Sequence, residues 1–134
     1  MIYLMQKDHL PTTLLRSPKT EAHYLEQRKL RAENSELYPP FSPTEKDAIE
    51  VFDHWMIIPN DFPYDAVSIQ HDMLFTRRPA VFDWDLLNQE ELKELSLLKK
   101  THIAESYDVF YENLPKGRTV PGHFHIHLLK LKRL

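Results

Sequence analysis

There is no cysteine in this chain, so disulfides, thiolate zinc sites and a cysteine nucleophile are all excluded. Glycine is scarce as well, 2 residues against 10 prolines, and turns must depend on proline, asparagine and aspartate. Neither sign of charge dominates. With 17 Lys and Arg against 20 Asp and Glu the formal net charge is -3, which gives no general reason to expect a nucleic acid or a membrane as partner. The closing Lys130-Leu131-Lys132-Arg133 is either a local basic patch or a solvated chain end. Long hydrophobic runs are missing too. The longest, Trp55 to Pro59, is far too short to cross a bilayer. Ile2 to Met5 is too short for a signal-peptide core and runs into Lys7 and Asp8, so a soluble, cytoplasmic protein is expected.

What is present is ordinary in bulk. The 134 residues amount to one domain, 42% hydrophobic and 28% charged, enough for a modest core. Residues 1 to about 19 have no clear period and read as an irregular arm or a short edge strand. Thr20 to about Asn34 favours helix, with Ala22, Leu25 and Leu30 as a weak apolar stripe. Tyr38-Pro39-Pro40-Phe41 must break it. Ser42-Pro43-Thr44-Glu45 reads as a capping box, predicting a short helix from Pro43 to about Glu50.

Val51–Ile58 reads as one strand, Pro59–Asp65 as a turn and Ser68–Thr76 as a second strand closed by Arg77-Arg78-Pro79. Asn88 and Glu91 form another capping signature, ahead of Leu92, Leu95 and Leu98 at helical spacing, which predicts a helix from Gln89 to about Ile103. Tyr107–Tyr111 and Gly122–Leu131 complete the strands, joined by a loop short enough for a hairpin. The expected fold class is α+β: an antiparallel sheet with helices packed on it, plus a partly helical N-terminal extension. The expected domains are residues 1–50 as that extension and 51–134 as the catalytic unit.

The last strand carries the chemistry. Its start, His123-Phe124-His125-Ile126-His127, places three of the chain's 8 histidines on alternate positions, and so on one face, with Phe124, Ile126 and Leu128 on the other. The residues alone leave three readings. One is a half-exposed strand whose outer face happens to be histidine-rich. Another is a metal site recruiting a further ligand from elsewhere. The third is nucleophilic catalysis, with one imidazole attacking while its neighbours handle protons and charge.

The stretch matches His-φ-His-φ-His-φ-φ, with φ apolar, and so resembles the histidine-triad superfamily of nucleotide hydrolases and transferases. The likeness runs in order from about residue 52 to 130. Trp55 to Asp65 resembles the family's strand and turn, and its Asn-x-Phe-Pro-Tyr-Asp form is nearest the nucleotidylyltransferase and dinucleotide phosphorylase branches. His71–Phe75 resembles the next strand, Asp85–Leu92 the acid-rich helix start, and Asn113, Gly117, Thr119 and Val120 the approach to the triad. There are departures. Arg118 stands where the family has glutamine, Pro121-Gly122 lengthens the loop by one residue, and the N-terminal segment has no counterpart in the minimal fold. The cysteines that hold structural zinc in some branches are missing.

The resemblance implies an enzyme acting at an α-phosphorus through a nucleotidyl-histidine intermediate. His125 would be the nucleophile, His127 would protonate the leaving oxygen or bind phosphate, His123 would orient the nucleophile, and His71 would add a fourth imidazole. Asn60 would bind the ribose and Asn113 the phosphate or the nucleophile's loop. Thr119 and Arg118 would bind phosphate, Arg118 taking over from the family's glutamine. Each has a plainer alternative, as turn, cap, strand or solvated residue. The implied substrate is a nucleotide or dinucleotide, the implied assembly a homodimer, and no metal or other cofactor is expected. A hydrolase is the first expectation. Its alternatives are a nucleotidylyltransferase, a dinucleotide phosphorylase, or a non-catalytic nucleotide- or metal-binding protein. Trp55, Phe62 and Tyr64 read as core or turn aromatics, or as a stacking platform for a base.

Overall fold

The computed structural model describes residues 15–33, 43–114 and 123–133. Its centre is an antiparallel sheet of strands β1 (Glu50–Val51), β2 (Trp55–Pro59), β3 (Ser68–Thr76), β4 (Val109–Tyr111) and β5 (His125–Leu131), in the spatial order β1-β2-β3-β5-β4. Helix α1 (Pro18–Glu33) precedes the sheet, and α2 (Gln89–Leu98) runs on through a π-helical stretch, Lys99–Ile103, to a last turn, α3 (Ala104–Ser106). The expected α+β class and the β4–β5 hairpin pairing are what the chain adopts.

Strand alternation sorts the side chains cleanly. Trp55 and Ile57 of β2, Leu74 of β3, and Ile126 and Leu128 of β5 lie on one face together with Phe124, under Leu95, Leu98 and Ile103 of the long helix. Met56, Ile58, Met73 and Phe75 form a smaller cluster of their own on the opposite face. Register then fixes the histidines. Phe75 pairs with His125 and Met73 with His127, so these imidazoles share the second face. The long helix begins as its sequence predicts: the Asn88 side chain accepts from the Glu91 amide at 2.8 Å, and Glu91 accepts from the Asn88 amide at 2.9 Å.

Three expectations are corrected. Val51–Ile58 is not one strand but a tight hairpin turning at Asp53-His54, with Glu50 opposite Ile57 and the Phe52 amide donating to the Trp55 carbonyl. Glu94 secures the turn by accepting from the His54 amide at 2.7 Å. The helix expected from Pro43 to Glu50 shrinks to a single 3-10 turn, Glu45–Asp47. Its box is Thr44 with Asp47, the expected cap Ser42 lying outside the described residues, and extended Ala48 then delivers the Ile49 amide to Ile57 in the sheet. Finally, α1 begins two residues early, and of its expected stripe Ala22 and Leu25 are exposed and Leu30 is half-buried; Glu21 is its buried residue, with Thr20, Tyr24, Gln27 and Arg28 half-buried. The Tyr38–Phe41 break lies outside the described residues.

Candidate active site

The histidine face is not an open surface. His123, His125 and His127 are 6%, 3% and 1% exposed and His71 is 3%, which rules out a half-exposed strand with a decorative outer row. Phe75 stacks on His125 with ring centres 5.1 Å apart and meets His123 edge-on at 5.2 Å. His125 and His127 meet edge-on at 4.8 Å.

The backbone selects the tautomer of His125. Its Nδ1 lies 3.2 Å from the His123 carbonyl, which can only accept, so neutral His125 carries its proton on Nδ1 and its lone pair on Nε2. The His123 imidazole points its Nδ1 at the Phe124 carbonyl, 2.7 Å away. Burial lowers its pKa, against the opposing pull of hydrogen bonds with the Phe124 and Arg78 backbone.

His71 and His127 form a directed pair across 56 positions of sequence, His71 Nε2 to His127 Nδ1 at 2.8 Å. The Tyr64 amide meets His71 Nδ1 at 2.9 Å and can only donate. Neutral His71 therefore holds its proton on Nε2 and gives it to His127 Nδ1, so neutral His127 holds its own on Nε2. Asn113 Nδ2 stands 3.2 Å from that atom, and a half-turn of the amide brings the accepting oxygen there instead. Both rings are held neutral. Burial, then the charge of Arg16 and neighbouring His125, pushes His71 down to about 4. Burial, then His125, His71 and Arg16, pushes His127 to about 2.

Two tyrosines flank this pair. Tyr111 and Tyr64 both lie within 10° of the His127 ring plane, at 4.8 and 6.0 Å, and Tyr64 also packs on His71 at 4.6 Å. Burial pushes the Tyr111 phenol upward, so it stays neutral near physiological pH. Asn60 holds the approach to β3. Its Oδ1 accepts from the Phe62 amide at 2.8 Å while its Nδ2 lies 3.3 Å from His71 Nε2.

Of the expected site residues, the structure thus gathers His71, His123, His125, His127, Asn60 and Asn113. Arg118 and Thr119 lie outside the described residues. Sequence reading missed Arg16 and undervalued Tyr64 and Tyr111. Arg16 is 7% exposed; its Nε donates to the Phe62 carbonyl at 2.8 Å and its guanidinium lies between Tyr24 and Tyr64, 4.1 and 5.0 Å from their ring centres. A signal for it existed: Ser17-Pro18 is a helix N-cap followed by proline in the first turn, which marks an ordered start at Arg16's neighbour rather than an arm. Of the other histidines, His102 faces Glu50 at 3.8 Å and Phe52, and His23 meets Phe62. Among the described residues no three histidine or carboxylate groups converge as metal donors, and no helix is long and apolar enough to cross a membrane.

No family model and no curated protein matches the chain. Solved structures do. A HIT family hydrolase from Legionella pneumophila Philadelphia 1 is 17% identical, the match covering 81% of this chain and 93% of that one with a TM-score of 0.48. A histidine triad protein from Clostridium difficile is 17% identical over 80% of this chain and 91% of that one, TM-score 0.45. The aprataxin ortholog Hnt3 from Schizosaccharomyces pombe is 15% identical over 76% of this chain, TM-score 0.45; this chain spans 56% of its length.

Proposed function

We propose that this is a nucleotide-processing enzyme of histidine-triad type, a hydrolase that works at an α-phosphorus through His125. The observation that carries the reading is the fixed tautomer of His125. The His123 carbonyl accepts from the Nδ1–H and so leaves the lone pair on Nε2, beside a buried His71–His127 pair. The backbone of His123, rather than its imidazole, is the group that orients the nucleophile.

Neutral His125 Nε2 attacks phosphorus, the bond to the leaving oxygen breaks, and the nucleotidyl group rides on the ring as a phosphoramidate. The leaving oxygen needs a proton. In the empty site burial holds His71, His123 and His127 toward the neutral form, and the negative charge of a bound phosphate pushes them back toward protonation, so substrate binding itself arms His127 as the acid. In the second half His127 takes a proton from water, the oxygen of which attacks phosphorus, and the P–N bond breaks to restore neutral His125. Asn113 steadies the Nε2 side of His127, while Asn60 serves the ribose in addition to its turn. Arg118 and Thr119 are assigned to phosphate by sequence likeness alone.

Replacing His125 with Asn keeps a polar side chain but removes the nucleophile. Turnover should fall by about four or more orders of magnitude with nucleotide binding retained, read by activity and equilibrium dialysis on a panel of nucleotide phosphoramidates, dinucleoside polyphosphates and nucleoside diphosphate sugars. A variant with undiminished turnover would leave a binding protein contaminated by another activity, and stoichiometric metal in the purified protein would favour the metal-binding alternative. Products formed in water alone mean hydrolase. Products that require added phosphate or sugar phosphate mean phosphorylase or nucleotidylyltransferase.

A further inference from the structure

Every described contact of the Arg16 guanidinium outside its own helix region falls on the short segment that feeds His71. Its Nε holds the Phe62 carbonyl at 2.8 Å and its plane lies over the Tyr64 ring at 5.0 Å. Tyr64 in turn supplies the amide that fixes His71 Nδ1 and the ring that backs it at 4.6 Å. The same segment is gripped a second time. Asp65 accepts from the Ser17 amide at 2.7 Å, the Ser17 hydroxyl at 3.0 Å and the Thr20 hydroxyl at 2.5 Å, and the Ala66 amide donates to the Leu15 carbonyl. An arginine inside a fold is costly to bury. Here its side chain is 4% exposed, and its ion pair with Glu21 is a loose 3.4 Å. A turn that only needed closing could use any neutral donor.

We propose that Arg16 is a positioning residue of the histidine site, acting through the Phe62–Tyr64 segment on the tautomer and orientation of His71 and, through His71, of His127. The residues before the sheet are then part of the active site. The kinetic half of this rests on the catalytic reading above; the tautomer half does not. Several charged or titratable groups act on the pair. Arg16 does so from the α1 side, with Glu21 and Tyr24 against its guanidinium, Tyr64 from the turn, Tyr111 from β4 and His125 from β5. The Arg16 charge opposes protonation of both His71 and His127, in the same sense as the geometry.

The test compares Arg16→Met with Arg16→Lys, the latter keeping the charge but losing the planar fork and its stacking. Ring-nitrogen NMR shifts of His71 and His127 are followed through a pH titration. Wild type should show His71 protonated on Nε2 and neutral to well below pH 6. Arg16→Met should show mixed tautomers and a His71 titration moved toward its ordinary value by at least about one pH unit. Arg16→Lys should keep much of the titration shift while losing the single tautomer. With substrate, both should lower kcat on the order of tenfold to a hundredfold, with KM moving less. A folded Arg16→Met with the wild-type tautomer and titration overturns the proposal. Should that variant fail to fold, Arg16→Lys decides, and an unchanged His71 tautomer there overturns it. Changed tautomers in a protein that shows no turnover with any substrate would uphold the positioning role and sink only the catalytic reading.

Discussion

The buried histidines carry a cost that pH exposes. The pKa of His71 is lowered from 6.5 to about 4, chiefly by burial, so the folded state binds fewer protons than the unfolded chain between those values. Its contribution is complete above about pH 6.5 and is lost as the pH falls through the folded value, on the order of 3 kcal/mol over the whole interval at about 1.4 kcal/mol per unit. Urea unfolding should show stability dropping between pH 7 and 4.5, a drop that His127 and His123 share because their pKa values are lowered too, and His71→Asn should make it measurably shallower. Parallel curves for the two proteins would place the acid sensitivity elsewhere. At its acid end the window meets the carboxylate range, where Asp65 and Glu91 lose stability in the same direction. In both, burial favours the neutral carboxyl but is outweighed, by Ser17 and Thr20 around Asp65 and by Arg78 and Asn88 around Glu91, and the pKa is lowered. At this scale the triad was legible because alternate histidines on a strand can only share a face. The pairing of His71 with His127 was legible only through likeness to a known pattern. Tyr64 and Arg16 were not, because a tyrosine in a proline turn and an arginine before a helix are commonplace in sequence.

Single elements read from sequence where a local code is strong, as in the Asn88–Glu91 cap of α2 and the boundaries of β3. They misread where a turn has no glycine to announce it. The Asp53-His54 hairpin looks like uninterrupted strand because its flanks, Val51-Phe52 and Trp55-Met56, are all strand formers. Ala80 shows the same economy. It sits at φ 60, a left-handed conformation that a Cβ disfavours, in a chain with 2 glycines. Ala80→Gly should therefore raise stability by about 1 kcal/mol, seen as a higher Tm; no change or a lower Tm would mean that the backbone there is not strained in solution. The clamp on α1 offers a second test. Asp65→Ala removes the acceptor of three hydrogen bonds from Ser17 and Thr20 and should cost about 1–3 kcal/mol, with proteolysis detaching the helix region first. Cleavage elsewhere before that region is released would contradict the clamp.

Over the whole molecule the two faces of one sheet divide the labour. Phe124, Ile126 and Leu128 bury against the long helix and make β5 rigid, and that rigidity holds His125 and His127 in place on the reverse. Ile126→Ala should cost about 2–5 kcal/mol from lost apolar burial and the cavity left behind, measured by chemical denaturation, with the chemistry proposed for His125 surviving in the folded fraction. The site is assembled from distant sequence: Arg16 before the sheet, Asn60 to His71 at the second turn, Tyr111 and Asn113 after β4, and β5 itself. No window of the chain contains it. The proposed chemistry turns on a covalent bond between His125 Nε2 and phosphorus. The direct measurement is to quench wild-type protein within its first turnover on a substrate labelled at the α-phosphorus and locate the label by phosphorus NMR and peptide mapping. An acid-labile phosphoramidate on His125 Nε2, absent from His125→Asn, is the expected result. Turnover with no adduct, or an adduct on any other residue, would contradict it.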